Sequence, residues 1–165
     1  MYRPAMKPIA TILLLIASLA QPVSAADAKL DAPLMGSWAV DTSRLPMAPA
    51  VRPRSVTITF SASGAEQVKT KVEVIDSAGN RLEADGVTPL DGTPTPVKSN
   101  FEADISATLM PRPDVLIMQL GKNGVPASTR IYAVQADGNS MIETVAHFDA
   151  EGRPVLRKNY FSRVR

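Results

Sequence analysis

The residue with the widest chemical repertoire is the only histidine, His147, in "TVAHFD". Glu143 falls on the same face if the stretch is extended, yet four strand positions hold the pair about 13 Å apart. That is too far for acid–base cooperation, and one histidine without cysteines or clustered carboxylates makes no metal site. A lone axial haem ligand is conceivable for His147; a histidine near the end of a strand is the plainer reading. Glu102 and Asp104 stand two apart, hence on one face about 6.6 Å from each other, a spacing that suits a glycosidase pair. Phe101, Ala103 and Ile105 claim the interior, however, which turns both carboxylates to water, where nothing raises their pKa for proton transfer. "GTPTPVKS" (92–99) falls one glycine short of a phosphate-binding loop: Val97 replaces the second glycine, and Pro94 and Pro96 remove amides that would cradle phosphate. No Gly-x-Ser-x-Gly turn occurs, and no hydrolytic triad assembles. The expectation is no enzyme, no cofactor and no metal.

The elements that must carry these residues are strands. In "SVTITFS" (55–61) Val56, Ile58 and Phe60 alternate with Thr and Ser; in "EQVKTKVEVID" (66–76) Val68, Val72 and Val74 share a face. "NFEADISATLM" (100–110) puts Phe101, Ala103, Ile105, Ala107 and Leu109 on one side. A period of two marks strands with one wet and one dry face. "DVLIMQL" (114–120) is apolar on both faces, and "STRIYAVQ", "SMIETVAHF" and "VLRKNYFSRV" complete the set. Between the runs, "DSAGNR", "GKNGVP", "ADGNS" and "DAEGRP" place Gly with Asp or Asn, as tight hairpins require. About nine runs at this spacing predict an all-β domain, an antiparallel up-and-down barrel of about 8–10 strands, with a β-sandwich as the alternative. "SRLPMAPAVRPRS" (43–55) and "VTPLDGTPTPVKS" (87–99), each with three prolines, read as loops or edge segments.

Composition sets the compartment. Arg3 and Lys7 precede the apolar "IATILLLIASLA" (9–20), and small residues at 23–26 offer a cleavage site. This is the plan of a secretory signal peptide, residues 1–25, too short in its core to remain as a membrane span. The expected mature domain, 26–165, is one unit of about 140 residues. Losing Arg3 and Lys7 from the 18 Lys+Arg matches them to the 16 Asp+Glu, so the mature domain is formally neutral. A neutral surface carries no footprint for nucleic acid or an anionic membrane. Without cysteine the chain can be neither lipid-anchored as a lipoprotein nor stapled by disulfides, so an apolar core must stabilise it. The localisation expected is periplasmic or secreted, with no stable membrane insertion after cleavage.

The run "GSWAVDTSR" opening such a chain resembles the start of the lipocalin and wider calycin group, whose first strand begins Gly-x-Trp. With "DGTPTPV" (91–97) and "DAEGRP" (149–154), the chain is most similar to small exported bacterial lipocalin-like proteins of undetermined role. The resemblance implies that Trp38, following Gly36, packs across the closed end of a barrel under an arginine of the last strand. Arg163 in "YFSRVR" matches that arginine, with Arg157 and Arg165 as the other C-terminal candidates. Gly36 would let the indole swing beside the backbone, and a guanidinium over its face is worth roughly 0.5–2 kcal/mol.

A barrel of about eight strands is just wide enough to be filled by side chains or to hold one small ligand. Small residues such as Thr70, Ala84, Ala103 and Ala107 favour room inside. The function expected is therefore binding of a small apolar ligand, lined by Phe60, Val72, Phe101, Ile105 and Met118. The alternative is an envelope interaction module that meets a protein or surface through its proline-rich loops.

Overall fold

A computed structural model describes residues 32–99 and 101–164. The expected signal peptide lies outside the described residues. The chain forms β1 (Gly36–Val40), β2 (Ser55–Ala62), β3 (Gln67–Ile75), β4 (Arg81–Pro89), β5 (Thr95–Pro96), β6 (Lys98–Ser99), β7 (Ile105–Arg112), β8 (Val115–Lys122), β9 (Val125–Val134), β10 (Ser140–Phe148) and β11 (Pro154–Arg163). All pair antiparallel in a single sheet, ordered β5-β7-β8-β9-β10-β11-β1-β2-β3-β4-β6. From β1 through β4 and from β7 through β11 each strand pairs with the next in sequence, and β1 joins β11, so the sheet curls into a nearly closed up-and-down barrel. Nine strands have five or more residues; β5 and β6 are two-residue stitches at the seam between β4 and β7. That seam is drawn together by an isolated bridge between Asp91 and Leu109, by Gly92 N–H donating to Thr108 O at 2.9 Å, and by the Thr88 and Thr108 hydroxyls at 2.9 Å.

Turn chemistry sets the strand register. Asp76 accepts from Asn80, Asp137 from Asn139 and Ser140, and Asp149 from Glu151 and Arg153, each folding the backbone back on itself. These bonds hold the three carboxyls below the usual aspartate range; the largest influence is the side-chain bond from Asn80, the side-chain bond from Ser140 and the backbone bond from Arg153 respectively.

Inside, one end of the barrel is packed solid. Leu34, Trp38, Val68, Leu116 and Met141 are fully buried there, and Phe60 meets Tyr132 edge-on at 5.2 Å, which in turn meets Phe161 at 6.4 Å. The other end receives the C-terminal part of β1, the start of β2 and the end of β3. The first proline-rich stretch crosses it with two 3-10 turns, Thr42–Arg44 and Pro49–Val51. The second is less of a loop than expected: Val87 to Pro89 finish β4, and β5 and β6 take up four more residues.

One strand runs opposite to expectation. In β7, Ser106, Thr108 and Met110 are buried while Ile105 and Leu109 are exposed. The expected inward row Phe101–Ala103–Ile105–Ala107–Leu109 is therefore split. Phe101 and Ala103 precede the strand, and a two-residue alternation predicts a common face only along continuous extended backbone. The phase shifts between Ala103 and Ile105, and the remainder of the row faces out.

Candidate functional site

The packed end is organised around Trp38. Its ring lies under the Arg163 guanidinium, 4.1 Å from carbon Cζ to the ring centroid, and its Nε1–H donates to Leu34 O at 2.9 Å. Trp38 and Arg163 are direct cross-strand partners of β1 and β11. The guanidinium also donates to Met35 O at 2.7 Å, to Gly138 O at 2.9 Å and to Pro33 O. It thereby ties the entering chain and the β9–β10 hairpin to the indole. Gly36 sits at φ +120°, and a Cβ there would meet Arg163 Nη1 at 2.7 Å. The backbone demands glycine at this position, and a Cβ would in addition push the guanidinium from its seat.

Above this plug the barrel holds a cavity of about 490 Å³. One wall is aliphatic: Val56 and Ile58 of β2, Val72 and Val74 of β3, and Ala84 of β4. Gly86 belongs to this wall because Val97 lies directly over it; a Cβ would fall 2.6 Å from Val97 Cγ1. Leu45, Met47 and Pro53 from the proline-rich crossing reach the same space, as do Phe101 and Ala103.

The opposite wall is polar, and sequence reading missed it. Arg130 of β9 donates through Nη1 to Glu143 Oε1 at 2.6 Å and through Nη2 to Glu102. Asn159 of β11 donates to Glu143 Oε2 at 2.5 Å. Glu143 is 2% exposed, so this carboxylate is inside the barrel. The register accounts for the cluster: Glu143 is level with Tyr132 on β9 and Asn159 on β11, and Val145 with Arg130 and Arg157. Burial, the largest influence, disfavours charge on Arg130. Tyr132 once ionised, Glu143 and Glu102 outweigh it and raise the pKa above the ordinary arginine value. Burial, followed by the field of Glu143, pushes the Tyr132 phenol well above 10.0.

The residues expected to line a ligand site are thus distributed. Val72, Phe101 and Met118 line the cavity. Phe60 is buried below it in the aromatic stack, and Ile105 lies on the outer face, 38% exposed. Glu102, expected to point to water, turns inward to Arg130 because it precedes β7 and escapes that strand's alternation. Asp104 is half-buried and does not join the cluster, accepting instead from Asn123 N–H at 2.8 Å. The signal that could have found the polar wall was a parity clash. "TRIYAV" and "MIETVAH" place Arg130 and Glu143 in phase with Tyr132, Val134, Met141 and Val145.

No family model matches the chain, and no curated protein does. The site must speak through its geometry. Among the described residues no three His, Cys, Asp or Glu side chains are grouped to hold a metal ion. What the arrangement offers is a half-open space with an aliphatic wall, a hydrogen-bonding wall and a mouth crossed by a proline-rich segment.

Proposed function

We propose that this is a non-enzymatic barrel protein that binds a small apolar ligand in its interior. The cavity of about 490 Å³ carries the reading. It falls within the roughly 300–1,000 Å³ of small-molecule sites, and its aliphatic wall would bury the apolar part of a guest. Leu45, Met47 and Pro53 turn toward the cavity, so the proline-rich crossing reads better as the ligand's mouth than as a docking surface for a protein. The seating of Arg163 over Trp38 supports kinship with the calycin group. The apolar segment at 9–20 supports export to the periplasm or beyond, with release after cleavage, and the neutral mature surface gives nucleic acid nothing to grip.

Titration with neutral N-phenyl-1-naphthylamine tests the binding reading. Saturable fluorescence enhancement at one site with roughly micromolar Kd is expected. A signal that rises linearly without saturation would contradict it. For export, the intact mass of the protein recovered outside the cytoplasm should correspond to an N-terminus at Ala26 or Asp27; full-length chain held in a membrane would contradict that part.

A further inference from the structure

The cavity's polar wall has an unmet demand. Of the buried side-chain nitrogen and oxygen atoms without a hydrogen-bond partner among the described residues, most belong to residues facing this cavity: Thr70 Oγ1, Ser106 Oγ, Arg130 Nε, Arg157 Nε and Asn159 Oδ1. Buried polar atoms are nearly always satisfied, so such a concentration marks a place where something else supplies the partner. Arg157 stands apart from the rest. Its cavity neighbour Arg130 has both Glu143 and Glu102 in direct contact, whereas the half-buried side chain of Arg157 has neither a hydrogen bond nor an ion pair with any described residue. The other carboxylate near the cavity, Asp85, is engaged by Lys69 at 3.4 Å.

We infer that the guest is a single-chain amphiphile whose anionic, acceptor-rich head, a carboxylate or a phosphate, sits against Arg157, its tail lying on the Val56–Val72–Val74 wall. This rests on the reading of the cavity as a ligand site and adds the class of ligand. Arg157 and Arg130 flank Val145 in adjacent strands, so their Cα atoms are about 10 Å apart on one level of the barrel. A head of two or three oxygens placed there can accept from Arg157 and from the free Nε–H of Arg130. The hydroxyls of Ser106 and Thr70 and the Asn159 carbonyl would be met by water or by a protonated oxygen of the head. A half-buried guanidinium without a carboxylate partner is stabilised more by an anion than by a neutral dipole. The pairing of both interior glutamates with Arg130 keeps them from claiming Arg157 for themselves.

The test is displacement of N-phenyl-1-naphthylamine from the full-length mature chain by four ligands with the same tail: dodecanoate, dodecyl phosphate, dodecanol and dodecylammonium. Dodecanoate or dodecyl phosphate should compete at least tenfold better than dodecanol, and the better of the two identifies the head. Arg157→Met should remove that preference while leaving the affinity for dodecanol within twofold. Arg157→Lys should keep part of the preference. Equal competition by dodecanoate and dodecanol in the wild type would overturn the anionic head while leaving the apolar cavity standing, as would tightest binding of dodecylammonium. This comparison needs no variant to fold. Failure of the naphthylamine and all four chains to bind would overturn the cavity reading itself, and this assignment with it.

Discussion

Two pairs of side chains decide how the interior is divided. At the packed end, Arg163 is both a roof over Trp38 and a clasp on three backbone carbonyls. Trp38→Ala should cost about 3–5 kcal/mol, the range for a buried aromatic. Arg163→Ala should cost about 2–3 kcal/mol, because it orphans carbonyls as well as losing the cation–π contact. Denaturant titrations of both singles and the double should show non-additivity of at least about 0.5 kcal/mol, with Arg157→Ala additive to Trp38→Ala. In the polar wall, Glu143→Leu alone leaves the Arg130 guanidinium short of its most buried partner and should cost about 3–5 kcal/mol. Adding Arg130→Met to it should restore part of the loss, since it removes the buried guanidinium left short of a partner, although the more exposed Glu102 then loses its own ion pair. Tyr132 gives the pH signature. The unfolded chain releases its phenolic proton near pH 10 and the native chain retains it, so the unfolded state binds fewer protons above that pH. Stability should fall as pH rises beyond about 10, and Tyr132→Phe should flatten the fall in urea midpoints measured from pH 8 to 11.

The hairpins and strands were the legible level of this chain, and β7 shows where legibility stopped. Gly with Asp or Asn between alternating runs locates the turns, and all four such stretches close hairpins: β3–β4, β8–β9, β9–β10 and β10–β11. The faces of β2 and β3 follow their apolar alternation as well, whereas β8, apolar on both faces in sequence, turns Leu116, Met118 and Leu120 inward. In β7 the alternation extends five residues into chain that is not strand, so the pattern assigns Ile105 to the interior where Ser106 sits. The polar wall was illegible for a different reason. Glu143 and Arg130 violate the rule that a barrel's inner face is apolar, and only the cross-strand register brings the two violations into contact where they cancel. The turn aspartates predict an acid response at this scale. Their native carboxyls titrate below the usual 3.8, so they favour the folded state above the unfolded aspartate value and lose that contribution as pH falls through their lowered pKa. A triple Asn variant at Asp76, Asp137 and Asp149 should lose less stability between pH 5 and 2.5 than the wild type, read from thermal midpoints.

At the scale of the molecule, the barrel is a vessel with a solid base and a hollow upper half. Trp38, Leu34 and the Phe60–Tyr132–Phe161 stack occupy the base; small residues, the seam at Gly86–Val97 and the balanced polar wall keep the rest open. A filled core and a cavity respond oppositely to added volume, since overpacking a full interior costs about 1–3 kcal/mol or more. Ala103 faces the cavity, and Ala107 lies in the outward row of β7. The most direct measurement is therefore the pair Ala103→Phe and Ala107→Phe, each followed by urea unfolding and by naphthylamine titration. The account predicts that Ala103→Phe abolishes probe binding at a cost to stability below about 1 kcal/mol, because the ring enters existing space, while Ala107→Phe leaves binding intact. Severe destabilisation by Ala103→Phe, together with a wild-type protein that never binds the probe, would show the interior to be full and contradict the account.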